Sequence, residues 1–116
     1  MNTEKFNRVI EQRLKDCQTV LCMKAEEYAT TDRLHNFKVA AKLQNCTPIT
    51  ALAGMMAKHT VSVYDLIQKQ EAGLDISMDM WEEKIGDSIN YLLLLTALIY
   101  EHADEQTESE VIINAG

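Results

Sequence analysis

The sequence predicts an all-α protein, a four-helix-type bundle of three long helices and one short one that is completed by oligomerisation. Three observations predict it. Proline occurs once and glycine four times in 116 residues, so long stretches carry no helix breaker. Apolar residues recur every three to four positions instead of alternating. The run from Ile85 to Tyr100 turns apolar almost all round, and a helix of that kind must be covered on every side.

The first helix is expected from Thr3 to about Tyr28. Phe6, Ile10, Leu14, Cys17, Leu21 and Tyr28 follow one face, and Val9 and Val20 widen it. Arg13 and Lys24 sit at its edge, where their stems can pack while their charges stay in water. Residues Ala29 to Arg33 break the pattern as a loop. A short helix then spans Asn36 to Leu43, with Phe37, Ala40, Ala41 and Leu43 inward.

Thr47 and Pro48 form a strong start signal, an N-cap followed by proline in the first helical position. The third helix runs to about Glu71 and closes at Ala72-Gly73. Its inward positions include Ile49, Leu52, Met55, Met56, Val63, Leu66 and Ile67. Ser77 caps the last helix, which runs to Glu101 or His102 and begins amphipathic with Trp81, Ile85 and Ile89. One chain holds too few helices to cover Tyr91 to Tyr100, so the remainder is expected to face another copy across a two-fold axis, in a dimer or tetramer. Residues 1–102 therefore read as one domain, and the acidic, aperiodic segment 103–116 as disordered.

A net charge of −7 repels phosphate backbones, which argues against double-stranded nucleic acid as a partner. It leaves room for a nucleotide held by a few inward cations, or for a magnesium ion. Cys17, Cys22 and Cys46 are odd in number and lack zinc-type spacing, so they read as small buried hydrophobes in a reducing compartment. The charged N-terminus is no signal peptide, and Ile85 to Tyr100, interrupted by Asp87 and Asn90, is too short for a membrane span. A soluble, cytoplasmic protein without membrane contact is the expectation.

Polar residues on core-facing stripes carry most of the chemical information. Glu83, Asp87 and Asn90 stand at i, i+4 and i+7 on the stripe that continues into Leu94. Two carboxylates and an amide are hard oxygen ligands suited to magnesium or manganese. Glu82 points about one hundred degrees away. Asp79, Glu82 and Glu83 also fit an exposed first turn that favours the helix N-terminus electrostatically. Asp87 lies deeper and needs a buried partner or ion.

On the third helix Lys58, Ser62 and Asp65 share one stripe, and His59, Ser62 and Leu66 the next. A solvated face and a hydrogen-bonded structural histidine are the plain alternatives to a site. Lys24, Glu27 and Tyr28 fall on one side of the first helix, and Arg33, His35, Asn36 and Lys38 crowd a short connector able to reach over a pocket. Local ion pairing is the plain alternative for each. No glycine-rich phosphate loop, nucleophile elbow or paired-cysteine motif is present.

The strings Lys24-Ala-Glu-Glu-Tyr28, Asp32-Arg-Leu-His-Asn-Phe-Lys38, Lys58-His59 with Ser62, and Glu82-Glu-Lys-Ile-Gly-Asp87 with Asn90-Tyr91 carry a family resemblance. Over about residues 1–101 the chain resembles small phage and prophage proteins of the nucleotide-modification-associated and MazG-like nucleoside triphosphate pyrophosphohydrolase group. The resemblance implies an oligomeric MazG-like bundle that handles nucleotides, in the host cytoplasm if phage-encoded. It implies catalytic and metal-binding roles for Glu27, Glu83 and Asp87, with magnesium or manganese activating a water. Nucleotide contacts would fall to Lys24, Tyr28, Arg33, His35, Asn36, Lys38, Lys58, His59, Ser62, Lys84, Asn90 and Tyr91.

The chain departs from that pattern twice. Glu27 is followed by Thr30 and Thr31 where the enzymes carry a second acid, and Lys84 replaces the acid three residues before Asp87. Three functions follow as expectations. The first is a magnesium-dependent pyrophosphohydrolase. The second is a non-catalytic protein that sequesters a nucleotide-derived signal, as a phage would use against host defence. The third, ranked last because the acidity is scattered, is a protein-binding inhibitor that mimics nucleic acid.

Overall fold

The computed structural model describes residues 1–27 and 32–115, with side chains placed for 1–22 and 32–110. Four helices make up these residues, and no strand occurs among them: α1 (Thr3–Glu27), α2 (His35–Gln44), α3 (Pro48–Glu71) and α4 (Met78–Ala115). They pack as a bundle.

Local chemistry sets the helix ends. Asn2 caps α1, its Oδ1 accepting from the Lys5 amide at 2.9 Å. Before α2, Asp32 accepts from the Leu34 amide at 3.0 Å, a local turn that starts the helix at His35, one residue earlier than expected. That helix ends at Asn45, which takes the left-handed conformation at φ 54° while the Cys46 amide bonds back to the Ala41 carbonyl at 2.9 Å. Thr47 caps α3 through its hydroxyl, with Pro48 in the first turn, and Gly73 at φ 87° turns the chain out of it. Ser77 caps α4, accepting from the Met80 amide at 3.2 Å.

The core sits between α2, α3 and α4. Leu34, Phe37, Leu52 and Leu98 form its buried centre, with Ile49, Met55, Met56, Tyr91, Leu94 and Leu95 packed against it. Leu52 is wholly inaccessible to solvent. Among the described residues α1 approaches only α4, where Cys17 is buried and Leu21 half-buried.

Several expectations need correction: Ile67, read as inward, is exposed, and so is Cys22, read as a buried hydrophobe. Phe6, Val9, Ile10, Leu14 and Val20, read as core-facing, are exposed, because among the described residues α1 packs against α4 alone, around Arg13 and Cys17. Leu43 is 82% exposed. Phe37 and Ala41 define the inner face of α2, and Leu43 lies about 200° round from Ala41. His35, Asn36 and Lys38 belong to the first turns of α2, not to a connector.

Lastly, α4 does not stop at Glu101 or His102 but continues to Ala115, through the segment expected to be disordered. Residues 103–115 hold no glycine or proline, and Glu105, Gln106, Glu108 and Glu110 among them are good helix formers. Aperiodicity there means only that no face is buried, and residues 102–110 are indeed exposed throughout.

The result is an elongated molecule. Its radius of gyration is 18.2 Å, against about 13 Å for a compact chain of this length. The accessible surface is 8871 Å², where a folded monomer of this mass exposes about 6,400 Å². Leu92, Leu93, Ile99 and Tyr100 on α4 contribute to the excess. No helix among the described residues is long and apolar enough to cross a membrane.

Candidate ligand-binding site

Helical spacing on α4 builds the site. Asp87, Asn90, Tyr91 and Leu94 fall at i, i+3, i+4 and i+7, so all four face the same side. They meet Met55 from α3, Asn36 and Phe37 from α2, Arg33 from the segment before α2, and Leu21 from α1. These nine residues line a partly enclosed cavity of about 120 Å³. Its walls combine apolar and aromatic side chains with four convergent polar ones, Arg33, Asn36, Asp87 and Asn90, a mixture that small-molecule pockets use.

Asn90 is the most informative of these groups. The side chain is only 8% exposed, and its Oδ1 has no hydrogen-bond partner among the described residues. A buried amide oxygen left unpaired costs free energy that native proteins rarely tolerate without a reason. A second orphan, Ser88 Oγ, lines none of the cavities described here. As a rotatable hydroxyl it can turn to a helix carbonyl.

Behind Tyr91 stands His59 of α3. The two rings stack with centroids 4.6 Å apart and an interplanar angle of 29°. Phe37 meets the Tyr91 ring edge-on at 6.4 Å. The His59 Nδ1 lies 3.5 Å from Asp87 Oδ2, within ion-pair reach once the imidazole is protonated but long for a hydrogen bond. Asp87 is less buried than its sequence context suggests, with about a third of its side chain exposed.

Asp87 and Asn90 also face a second space. Together with Glu83, Glu82, Asp79 and Gly86 of α4, and Arg13, Asp16, Cys17 and Val20 of α1, they line an open cleft of about 340 Å³ between the two helices. Arg13 spans this cleft: its Nη2 donates to the Glu82 carbonyl at 2.8 Å, and Nη1 lies 3.4 Å from Asp16. Gly86 makes that crossing possible, since a Cβ there would lie 3.0 Å from the Arg13 Nη2.

The structure therefore gathers Arg33, Asn36, Asp87, Asn90 and Tyr91 around one cavity, with His59 supporting it, and places Glu83 in the adjoining cleft. Other expected site residues lie elsewhere. Lys38 reaches two carboxylates, Asp32 at 2.7 Å and Glu101 at 2.6 Å, and so ties α2 to α4. Its bonds to Asp32 and Glu101 raise the ammonium's pKa, and the Lys38 bond, seconded by the Leu34 amide, lowers that of Asp32. Lys58 and His35 are exposed, the Ser62 hydroxyl bonds the Lys58 carbonyl at 3.1 Å, and half-buried Lys84 lines neither space. Tyr28 and the side chains of Lys24 and Glu27 lie outside the described residues.

Sequence reasoning missed Arg13 and Gly86 as cleft residues and Asp32 as the anchor of Lys38. A signal existed for one of them. Gly86 is an isolated glycine inside a long helix, which usually marks a close approach by another group.

The implied magnesium site can be tested on the donor set. Among the described residues no group of three or more histidines, cysteines, aspartates or glutamates could hold a metal ion. Asp87 and Glu83 both line the open cleft, yet among the described residues they belong to no such group, so these two carboxylates alone do not form an ion cradle. Comparison with models of protein families, with curated proteins and with solved structures gives no match for this chain.

Proposed function

We propose that this protein is a homo-oligomer whose subunits each bind a nucleotide or nucleotide-derived small molecule, and that binding, not hydrolysis, is the property its site is built for. The observation that carries the reading is a partly enclosed cavity in which the rings of Phe37 and Tyr91 stand beside the polar side chains of Arg33, Asn36, Asp87 and the buried Asn90. A ring seated among Phe37, Tyr91, Met55 and Leu94 would lie beside the positive charge of Arg33. The resemblance to MazG-like proteins points to the same ligand class.

The oligomer rests on area. A subunit exposing about 2,500 Å² more than a compact chain of its mass has ample surface for a stable interface, which takes about 800 Å² per partner. The uncovered apolar stripe of α1 and the outer leucines of α4 are the surfaces it would use.

Pyrophosphohydrolysis is the second reading, and the acidic cleft favours it. Asp16, Asp79, Glu82, Glu83 and Asp87 all line the space next to the cavity, where a metal-bound phosphate chain would lie. It needs a further ligand, which the resemblance assigns to Glu27. The described carboxylates do not themselves complete a metal ion's coordination.

Native mass spectrometry with calorimetric titration of common nucleotides, with and without magnesium, separates the readings. Two or more subunits and intact, saturable ligand are expected. Release of nucleoside monophosphate and pyrophosphate would favour the hydrolase. A monomer that binds no nucleotide under either condition would refute both.

A further inference from the structure

We infer that a second copy of this chain docks on the outer face of α4, with the two α4 helices antiparallel and in a single register. The inference rests on the homo-oligomer reading above and goes further by naming the surface, the direction and the residue pairs.

Spacing is the first ground. Ile85, Ile89, Leu92, Thr96, Ile99 and Ala103 follow one another at intervals of four, three, four, three and four residues. That is the heptad spacing of a seam between two helices, and it lies on the side of α4 turned away from Tyr91, Leu94 and Leu98 of the core. Leu92 and Ile99 are 54% and 50% exposed, Ile85, Thr96 and Ala103 are exposed as well, and Ile89 is half-buried. A helix apolar on two opposed faces needs cover on both. The Thr96 hydroxyl already donates to the Leu92 carbonyl at 3.0 Å, so covering it strands no polar group. The area suffices too, since the excess of about 2,500 Å² over a compact chain exceeds what one partner of a stable dimer buries.

Charge sets the direction. Residues 104–110, helical and exposed, carry Asp104, Glu105, Glu108 and Glu110 and no cation. Parallel pairing would lay two such acidic ends side by side and align the helix dipoles unfavourably. Antiparallel pairing carries each acidic end to the other copy's start of α4. The first half of α1 lies toward that end, because α1 runs in the same direction as α4, with Arg13 bonded to Glu82 and Leu21 in the same cavity wall as Leu94. It offers three exposed cations, Lys5, Arg8 and Lys15, against two acids, Glu4 and Glu11. Of the acids at the start of α4, Asp79 and Glu83 lie about 120° and 160° round from Ile85, away from the seam, and Glu82 stands at its edge.

One register pairs all six seam residues with one another about a two-fold axis at the level of Leu94. Ile85 meets the partner's Ala103, Ile89 the partner's Ile99, and Leu92 the partner's Thr96. Large side chains at Ile85 and Leu92 thus face small ones, as interlocking requires.

The test joins native mass spectrometry of the full-length protein to oxidative cross-linking of the variant Ile85→Cys/Ala103→Cys, in a background with Cys22→Ser and Cys46→Ser. Within one helix positions 85 and 103 lie about 27 Å apart, so a disulfide between them can only join two copies. That disulfide is expected on peptide mapping. Ile99→Asp should weaken self-association at least tenfold, whereas Leu43→Asp, on the exposed side of α2, leaves it unchanged.

Disulfides of 85 to 85 and 103 to 103 would overturn the direction. An oligomer that forms no disulfide at either position, or that Ile99→Asp leaves as tight as before, would overturn the inference while the homo-oligomer reading stands. A native-sequence protein that stays a single subunit would refute that reading and this inference together.

Discussion

The α2–α3–α4 side of this molecule and the α1 side are built to different degrees of completion. On the first, Leu34, Phe37, Leu52 and Leu98 close a core that excludes water within one chain. On the second, α1 meets α4 around Cys17 and Leu21, and the apolar stripe from Phe6 to Leu14 lies open. α1 carries an amphipathic pattern and its apolar stripe still lies largely open, so pattern alone does not decide which faces are covered within one chain. The number of helices available does.

The largest expected effect breaks the closed side. Leu52→Ala removes a side chain with no solvent exposure and should destabilise the protein by about 2–5 kcal/mol, read by urea denaturation. Its cost arises inside the subunit and should be found at every protein concentration where the subunit count is unchanged. A loss under about 1 kcal/mol would mean the core relaxes around the gap, and so is less closed than its geometry implies.

The open side is broken by charge. Leu14 is 56% exposed in the single chain, so Leu14→Asp should cost little if that face meets water. In an oligomer that covers the stripe, the same change buries an unpaired carboxylate and should shift the protein toward single subunits. Native mass spectrometry and sedimentation check this. An unchanged subunit count and an unchanged thermal midpoint would place Leu14 outside any interface.

Between the two sides lies the Arg13–Gly86 crossing. Alanine is favoured over glycine inside a helix by about 1 kcal/mol, but a Cβ at Gly86 would come within 3.0 Å of the Arg13 guanidinium. Gly86→Ala should therefore gain less in the native sequence than in an Arg13→Ala background, where the full preference appears. A thermodynamic cycle of the four proteins measures the difference. Equal gains in both backgrounds would mean Arg13 moves aside freely and does not pin α1 to α4.

Most of this fold was legible in the sequence, because helix starts and stops are local chemistry. Thr47-Pro48, Ser77 and Ala72-Gly73 mark boundaries through hydrogen bonds made within a few residues. The site was partly legible for a similar reason: one helical stripe carries Asp87, Asn90 and Tyr91 together. What distance along the chain concealed was the partner of each group. Nothing near Lys38 in sequence shows that Glu101 will reach it, and nothing near Asp87 shows that His59 will approach it from α3. The length of α4 was misread because hydrophobic periodicity reports burial, and a helix can propagate without any.

The smallest expected effect concerns the bridge that ties α2 to α4. Asp32 has a lowered pKa, chiefly through the Lys38 bond and then the Leu34 amide. Its contribution to stability is therefore complete above the ordinary carboxylate value of 3.8 and disappears as pH falls through the lower folded value. Lys38 has the opposite sign. Its raised pKa gives stability that is complete below 10.5 and lost only as pH climbs through the higher folded value. Across the neutral range the bridge is thus insensitive to pH. Both side chains are about a third exposed, so screening by water keeps the effect small. Lys38→Met should flatten part of the acid limb of a stability–pH curve, below pH 3.8, and leave the slope between pH 5 and 9 unchanged. A change of slope confined to the neutral range would mean that Lys38 is coupled to a histidine instead, and that the tie between α2 and α4 is not the one its two short bonds describe.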